Sequence, residues 1–242
     1  MAKTSASQTT AGQAPDAPGW AETAEQQVLD AALALVPAQG WTWPMALAAG
    51  RACGLSLGET ELLLPQGPAD LAALFWRRHD AQALARLADV DVGSLKVRER
   101  IARAVAARME AAAADEAASR RCVGFLALPP HLALGARLAW ESADVLWRWA
   151  GDTATDENHY SKRAILAGLL VSATAIRLSS GREAALAYAE RRIADVMAFE
   201  KWKATTRLRP GHWLEQAAQR LGRARYRSSS PPSAEGAESG RG

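Results

Sequence analysis

Between Ala150 and Arg163 the chain gathers Asp152, Thr153, Thr155, Asp156, Glu157, Asn158, His159, Tyr160, Ser161, Lys162 and Arg163. Carboxylates, hydroxyls, an imidazole, a phenol and two cations this close together can hold a metal, move protons or dock a partner. Asp156 and His159 have Asp-x-x-His spacing, one step from the Glu-x-x-His of di-iron bundles. Those sites need the motif twice, with two further Glu, and the other histidines (His79, His131, His212) supply no second copy. Asp152, His159 and Ser161 have the residue types of a hydrolytic triad, yet such near neighbours in sequence rarely converge on one point. Phosphate loop, nucleophile elbow and metal-spaced Cys/His set are all missing from the sequence. The expectation is a protein without catalytic residues, metal or cofactor, whose polar stretch works by contact.

The elements that hold this stretch are helices. Gly151 can end the helix before it, because a left-handed residue after the last turn is cheapest as glycine. Thr153 or Thr155 can cap the helix after it, with Asp156 and Glu157 against the positive end of the macrodipole. Apolar spacing of three and four residues runs through Val28, Leu29, Ala32, Leu33 and Val36, with Pro37 and Gly40 as the stop. Similar spacing marks helices from Met45 to Cys53, through Leu64, from Pro68 through Leu87, from about Leu95 to Ala114, and through Val123 and Leu126. Leu132–Trp149, Thr155–Leu178, Arg182–Ala204 and Gly211–Arg227 complete the series. Alternating apolar runs are short, so the fold class is all-α.

The 242 residues are 49% hydrophobic with a net charge of +3, enough for one good-sized core and too balanced for a polyanion binder. Cys53 and Cys122 are expected to be free thiols, lacking a second Cys or His at ligand spacing. There is no run of about 18 uncharged apolar residues, so a bilayer span is not expected. Residues 1–20 and 228–242, rich in Ser, Pro and Gly, are expected to be disordered tails.

Two helices stand out. The one after the polar stretch carries Ile165, Leu166, Leu169, Leu170, Val171, Ile176 and Leu178, apolar around most of its circumference. That pattern fits a dimer seam, the wall of an apolar cavity, or a thick core helix. Over residues 207–227, Trp213, Leu214 and Leu221 lie on one side and cations such as Arg220 and Arg223 mostly on the other. A basic amphipathic helix with an interfacial Trp is expected to lie weakly on an anionic membrane surface.

The string AGDTATDENHYSKRAILAGLLVSAT resembles the signature of the Coq-nine family, lipid-binding accessory proteins of ubiquinone biosynthesis with a TetR-like helical fold. The likeness continues through ALALVPAQGWTWPMALAAGRACGL, LLPQG, LKVRERIARAV and RRIADVMAFEKWKA, roughly residues 25 to 205. Glu157 stands where the family pattern has an aromatic, and His159 where Trp or Tyr is common. The resemblance implies a helix-turn-helix-like unit over 21–90 and a lipid-binding, dimerising bundle over 91–206. It implies a patch of Asp152, Thr155, Asp156, Asn158, His159, Tyr160, Lys162 and Arg163 that docks a di-iron hydroxylase. It further implies a homodimer whose pocket for an isoprenoid quinone is assigned to Leu138, Leu146, Leu166, Leu169, Leu170 and Val196. The location implied is the inner face of a bacterial cytoplasmic membrane, or the mitochondrial matrix side in a eukaryote.

A TetR-like fold also raises DNA binding. The third helix, Ser56 to Leu64, carries Glu59 and Glu61 and no Lys or Arg. Acids in a groove lined by phosphates are repulsive, so nucleic acid is not an expected partner.

Overall fold

In the computed structural model, residues 19–152 and 157–205 are described, the side chains of 157–159 and 199–205 excepted. The expected tails, the 207–227 helix with Trp213, Leu214, Arg220, Leu221 and Arg223, and the cap residues Thr153 and Thr155 lie outside the described residues. Residues 1–193 cluster as one compact unit and 194–242 as another. All regular structure among the described residues is helical: α1 Trp20–Gln39, α2 Trp43–Ala52, α3 Leu57–Leu63, α4 Pro68–Arg86, α5 Val97–Ala114, α6 Glu116–Leu126, α7 Leu132–Trp149, α8 Glu157–Ser180 and α9 Arg182–Thr205.

Local chemistry explains the boundaries. Ser56 and Glu59 form a capping box that starts α3, each side chain satisfying the other's backbone N–H. Pro68 occupies the first turn of α4, where its missing N–H costs nothing. The expected Pro37–Gly40 stop is met at its glycine. Helix α1 runs through Pro37 to Gln39 and ends at Gly40, which has φ +69°. Pro37 sits in the last turn, so the helix gives up little of its bonding there, and Gly40 N–H still reaches the Val36 carbonyl at 2.8 Å.

The first unit has two apolar clusters. Val28, Leu29, Val36, Met45, Leu71, Phe75 and Leu126 build one from α1, α2, α4 and α6, joined by Leu138 at the middle of α7. Ile101, Val105, Met109, Leu146, Leu166, Leu169, Leu170, Ala189 and Ile193 build the other from α5, α7, α8 and the start of α9. Each fully buried Leu or Ile contributes about 1.5–3 kcal/mol. The α2–α3 crossing is the tightest: a Cβ on Gly50 would lie 2.2 Å from Thr60 Oγ1. Any larger residue there pushes the three-helix unit apart.

Helix α8 is apolar on two sides. Leu166, Leu169, Leu170 and Ala173 are buried, while Ala164, Ile165, Gly168, Val171 and Ala175 are exposed. By length and composition alone, Tyr160–Ser180 would be long enough to cross a membrane, with mean hydropathy 1.3 in its most apolar window. Its charges, Lys162, Arg163 and Arg177, sit near the two ends and leave the middle uncharged. The buried face nonetheless belongs to the core of the first unit.

Candidate functional site

The turn between α7 and α8 is built as the glycine suggested. Gly151 has φ +86° and donates its N–H to the Arg148 carbonyl, while Asp152 N–H reaches back to Trp147 O, both at 3.0 Å. This paired closure is a Schellman motif, and it satisfies two carbonyls the helix end would otherwise leave bare. Arg100, from the start of α5, adds a bond from Nη1 to Ala150 O at 2.9 Å. The turn therefore delivers Asp152 to a fixed place.

Asp152 then meets α8. Its Oδ1 accepts from Lys162 Nζ at 2.7 Å and its Oδ2 from Arg163 Nη1 at 3.2 Å. Arg163 also reaches one turn and a half up α7, donating from Nε to Asp144 Oδ1 at 2.5 Å, and Asp144 holds Arg148 at 2.7 Å. The Arg163 side chain is only 2% exposed and Asp152 8%. Burial raises the Asp152 carboxyl, but the hydrogen bonds and charges of Lys162 and Arg163 outweigh it and hold the group below its ordinary value. Trp147 closes the assembly: its indole N–H donates to Lys162 O at 3.1 Å, and Lys162 Nζ lies 5.5 Å from its ring centroid.

The structure thus divides the predicted patch. Arg163 and Asp152 lie inside, as an ionic clasp between α7 and α8, and Lys162 is half-buried above them. Among the described members Tyr160 is exposed, 65% accessible, with its ring centroid 6.1 Å from that of Trp140 on α7. Backbone α8 begins at Glu157, so Asn158 and His159 share its first turn; their side chains, with Thr155 and Asp156, lie outside what is described. A partner touching this surface meets an aromatic pair on a braced base.

The predicted lipid-lining residues take three positions. Leu146, Leu166, Leu169 and Leu170 are packed together in the α5–α7–α8 cluster, and Leu138 belongs to the other. Val196 is half-buried in the second unit.

A second polar constellation escaped sequence reasoning. Asp80 on α4 accepts from Arg108 Nε of α5 at 2.6 Å and from Ser142 Oγ of α7 at 2.8 Å, and Ser142 in turn accepts from Trp76 Nε1 at 2.8 Å. The Arg108 guanidinium lies 4.8 Å from the Trp76 ring centroid, and its side chain is 2% exposed. Burial pushes the Asp80 carboxyl up against the pull of Arg108 and Ser142. His79 beside it is neutral: burial, then the charges of Arg108, Arg78 and Arg86, push it down to about 2. His79 Nε2 and Arg108 Nη1 have no hydrogen-bond partner, and both residues line a void of about 10 Å³ with Cys122 and Thr174. That is room for about one water. Burial pushes the Cys122 thiol up to about 12, so it is not a reactive thiolate. Cys122 and Cys53 are both free. Among the described residues no group of three His, Cys, Asp or Glu is placed to hold a metal.

The COQ9 family model matches residues 132–200, which are α7, α8 and most of α9. The ubiquinone biosynthesis protein COQ9 of Bos taurus, mitochondrial, is 26% identical over 186 residues, 73% of this chain and 58% of the relative. Its counterparts in Rattus norvegicus and Homo sapiens are 28% and 27% identical over 61% of this chain, covering 49% and 48% of their own lengths. The chain therefore spans about half of the length of the curated relatives it matches. Among solved structures, a TetR transcriptional regulator from Nitrosomonas europaea superposes with a TM-score of 0.50 and 14% identity, over 70% of this chain and 95% of that one. At that identity the likeness speaks for the fold alone. The fold is TetR-like, and over the helices that carry the clasp the chain resembles the COQ9 family.

Proposed function

We propose that the protein is a non-catalytic accessory factor of ubiquinone biosynthesis. In this reading it binds an isoprenoid quinone intermediate, associates peripherally with a membrane, and presents the lipid to the di-iron hydroxylase late in the pathway. The observation that carries it is the placement of the family match: residues 132–200 hold the clasp, the exposed Tyr160 beside Trp140, and the doubly apolar α8. The relatives are named for ubiquinone biosynthesis, and those names supply the pathway.

Physically the parts suit the task. A polyprenyl tail gains about 0.8 kcal/mol per buried CH₂, so it does not leave a bilayer unaided. Apolar side chains on both faces of α8 offer a surface on which a tail, or a second copy of the chain, can be covered. Tyr160 supplies the kind of aromatic anchor that interfaces favour. The clasp beneath it keeps that anchor in one place, which lowers the ordering cost of docking. The predicted basic helix over 207–227 would hold the protein to anionic lipid, in the matrix or on the inner face of a bacterial membrane.

The test is native mass spectrometry of the purified protein, with organic extraction of what it releases. A dimer releasing an isoprenoid or phospholipid species is the expected result. A lipid-free protein would leave a structural adaptor and assign α8 to packing alone. A DNA-binding role predicts a specific gel shift. Exposed Glu59 and Glu61 on α3 argue against it, since Glu59 is held below its ordinary value by hydrogen bonds from Ser56 and stays charged.

A further inference from the structure

Arg108 has more donors than the side chains around it use. Its Nε bonds to Asp80 Oδ1, and Nη2 reaches the Trp76 carbonyl at 3.3 Å. Nη1 carries two further N–H groups and has no hydrogen-bond partner among the described residues. His79, next to Asp80 on the same helix, holds the complementary orphan in Nε2. Both residues are only 2% exposed, so bulk solvent serves neither atom.

The two side chains line one void of about 10 Å³, together with Ser119, Cys122 and Thr174. Helices α4, α5, α6 and α8 each supply part of its wall. Trp76 and Cys122 belong to the first apolar cluster, and Thr174 follows Ala173 of the second. The void lies where the two clusters meet.

Size and charge select what it takes. A space of about one probe sphere admits a single water and nothing larger. An anion is disfavoured twice. The Arg108 charge is already met by Asp80 at 2.6 Å, and the His79 ring is neutral, pushed down to about 2 by burial and by the charges of Arg108, Arg78 and Arg86. A further negative charge in the core would be unbalanced. A dry void would strand a charged donor and a ring nitrogen, which costs more than immobilising one water. A neutral imidazole keeps one nitrogen as an acceptor. Water accepts and donates, so it meets both orphans at once. Ser119 Oγ, whose proton goes to Ala112 O at 2.5 Å, keeps lone pairs for a third bond.

We propose that one internal water is bound in this void, accepting from Arg108 Nη1 and donating to His79 Nε2. It fixes the ring proton of His79 on Nδ1. It also closes a network that runs from Trp76 through Ser142, Asp80 and Arg108 and returns to α4 at His79. The site is independent of lipid cargo and of partner docking, so its failure leaves the proposed function standing.

A high-resolution crystal structure of the full chain, with a second crystal soaked in sodium bromide, reads the site directly. A solvent peak within hydrogen-bond distance of both orphan atoms, without anomalous bromide signal, is the expected result. A void without density overturns the proposal, as do His79 or Arg108 side chains turned to pair with protein atoms. A bromide signal overturns it as well, by showing that the site takes an anion. In solution, oxygen-17 relaxation dispersion counts long-lived internal waters. His79→Phe keeps a ring against Phe75 and removes Nε2, so it should hold about one water fewer than the parent. Equal counts would overturn the bridge. Should that variant fail to fold, the parent crystal still decides.

Discussion

Among the described residues two arginines are buried, and they are held differently. Arg163 binds two carboxylates, Asp144 and Asp152, close in sequence and both on or just beyond the preceding helix. Arg108 binds one carboxylate, Asp80, and leaves Nη1 unpartnered beside a void. The first arrangement is fully engaged, next to the surface, and sits beside the exposed Tyr160 and the half-buried Trp140. The second is deep, joins α4, α5 and α7, and touches nothing exposed. A buried charge pair costs desolvation on both sides, so neither is evidence of extra stability, but removing one partner strands the other. The contrast separates a clasp that positions a surface from a kernel that fixes how helices meet.

The largest effect should come from breaking the kernel. Arg108→Ala leaves Asp80 buried with only Ser142 to satisfy it, and removes the cation from the Trp76 face. A loss of about 3–5 kcal/mol is expected, a fall in melting temperature of roughly 10 °C for a unit of this size. Thermal unfolding followed by circular dichroism reads it; a fall under about 1 kcal/mol would mean the kernel contributes little.

Arg163→Ala should cost less, about 2–3 kcal/mol, because Asp152 keeps Lys162 and Asp144 keeps Arg148. Its signature is the pH dependence. The folded Asp152 sits below the ordinary value of 3.8, so its contribution is fully present above that pH and is lost as pH falls through the lowered folded value. The gap in stability between parent and Arg163→Ala should therefore be constant near neutrality and shrink in acid. A gap that persists to the acid limit would show that packing of the arginine stem, not the ion pairs, carries the effect.

How much of this was legible follows from sequence distance. Every member of the clasp except Asp144, Trp147 and Arg148 stood in one dense run, and Gly151 announced its helix end through a backbone need that no other residue meets cheaply. What the run did not reveal is which of its members point inward: helical periodicity places Arg163 one position from the exposed Ala164, and only the carboxylate waiting on α7 decides the matter. The kernel was not legible because its bonds span 28 to 66 residues, and His79 read as a lone histidine. Helix boundaries were readable where a side chain makes the cap, as at Ser56, or a glycine takes the left-handed position, as at Gly40.

A smaller effect should follow from Gly151→Ala. At φ +86° the added Cβ would also lie 3.3 Å from Arg100 Nη1, the far end of a flexible side chain that can yield. Backbone strain then dominates, about 1 kcal/mol. Because the strained turn sets where Asp152 sits, this variant should loosen the clasp as well, and amide exchange along the first turns of α8 should rise more than in the kernel helices.

Tyr160→Ala should move stability least and function most. The ring is largely exposed and pairs with Trp140 at the long end of aromatic contact, so truncation should cost no more than about 0.5–1 kcal/mol. If this pair is the docking anchor, hydroxylase capture by the purified protein should fall at least tenfold, with melting almost unchanged. Arg163→Lys then sharpens the comparison: it keeps one charge but loses the fork that spans Asp144 and Asp152, so it should soften the base without removing the ring. Binding that survives Tyr160→Ala but fails in Arg163→Lys would place recognition in the shape of the α7–α8 turn, and the aromatic pair would be a bystander to it.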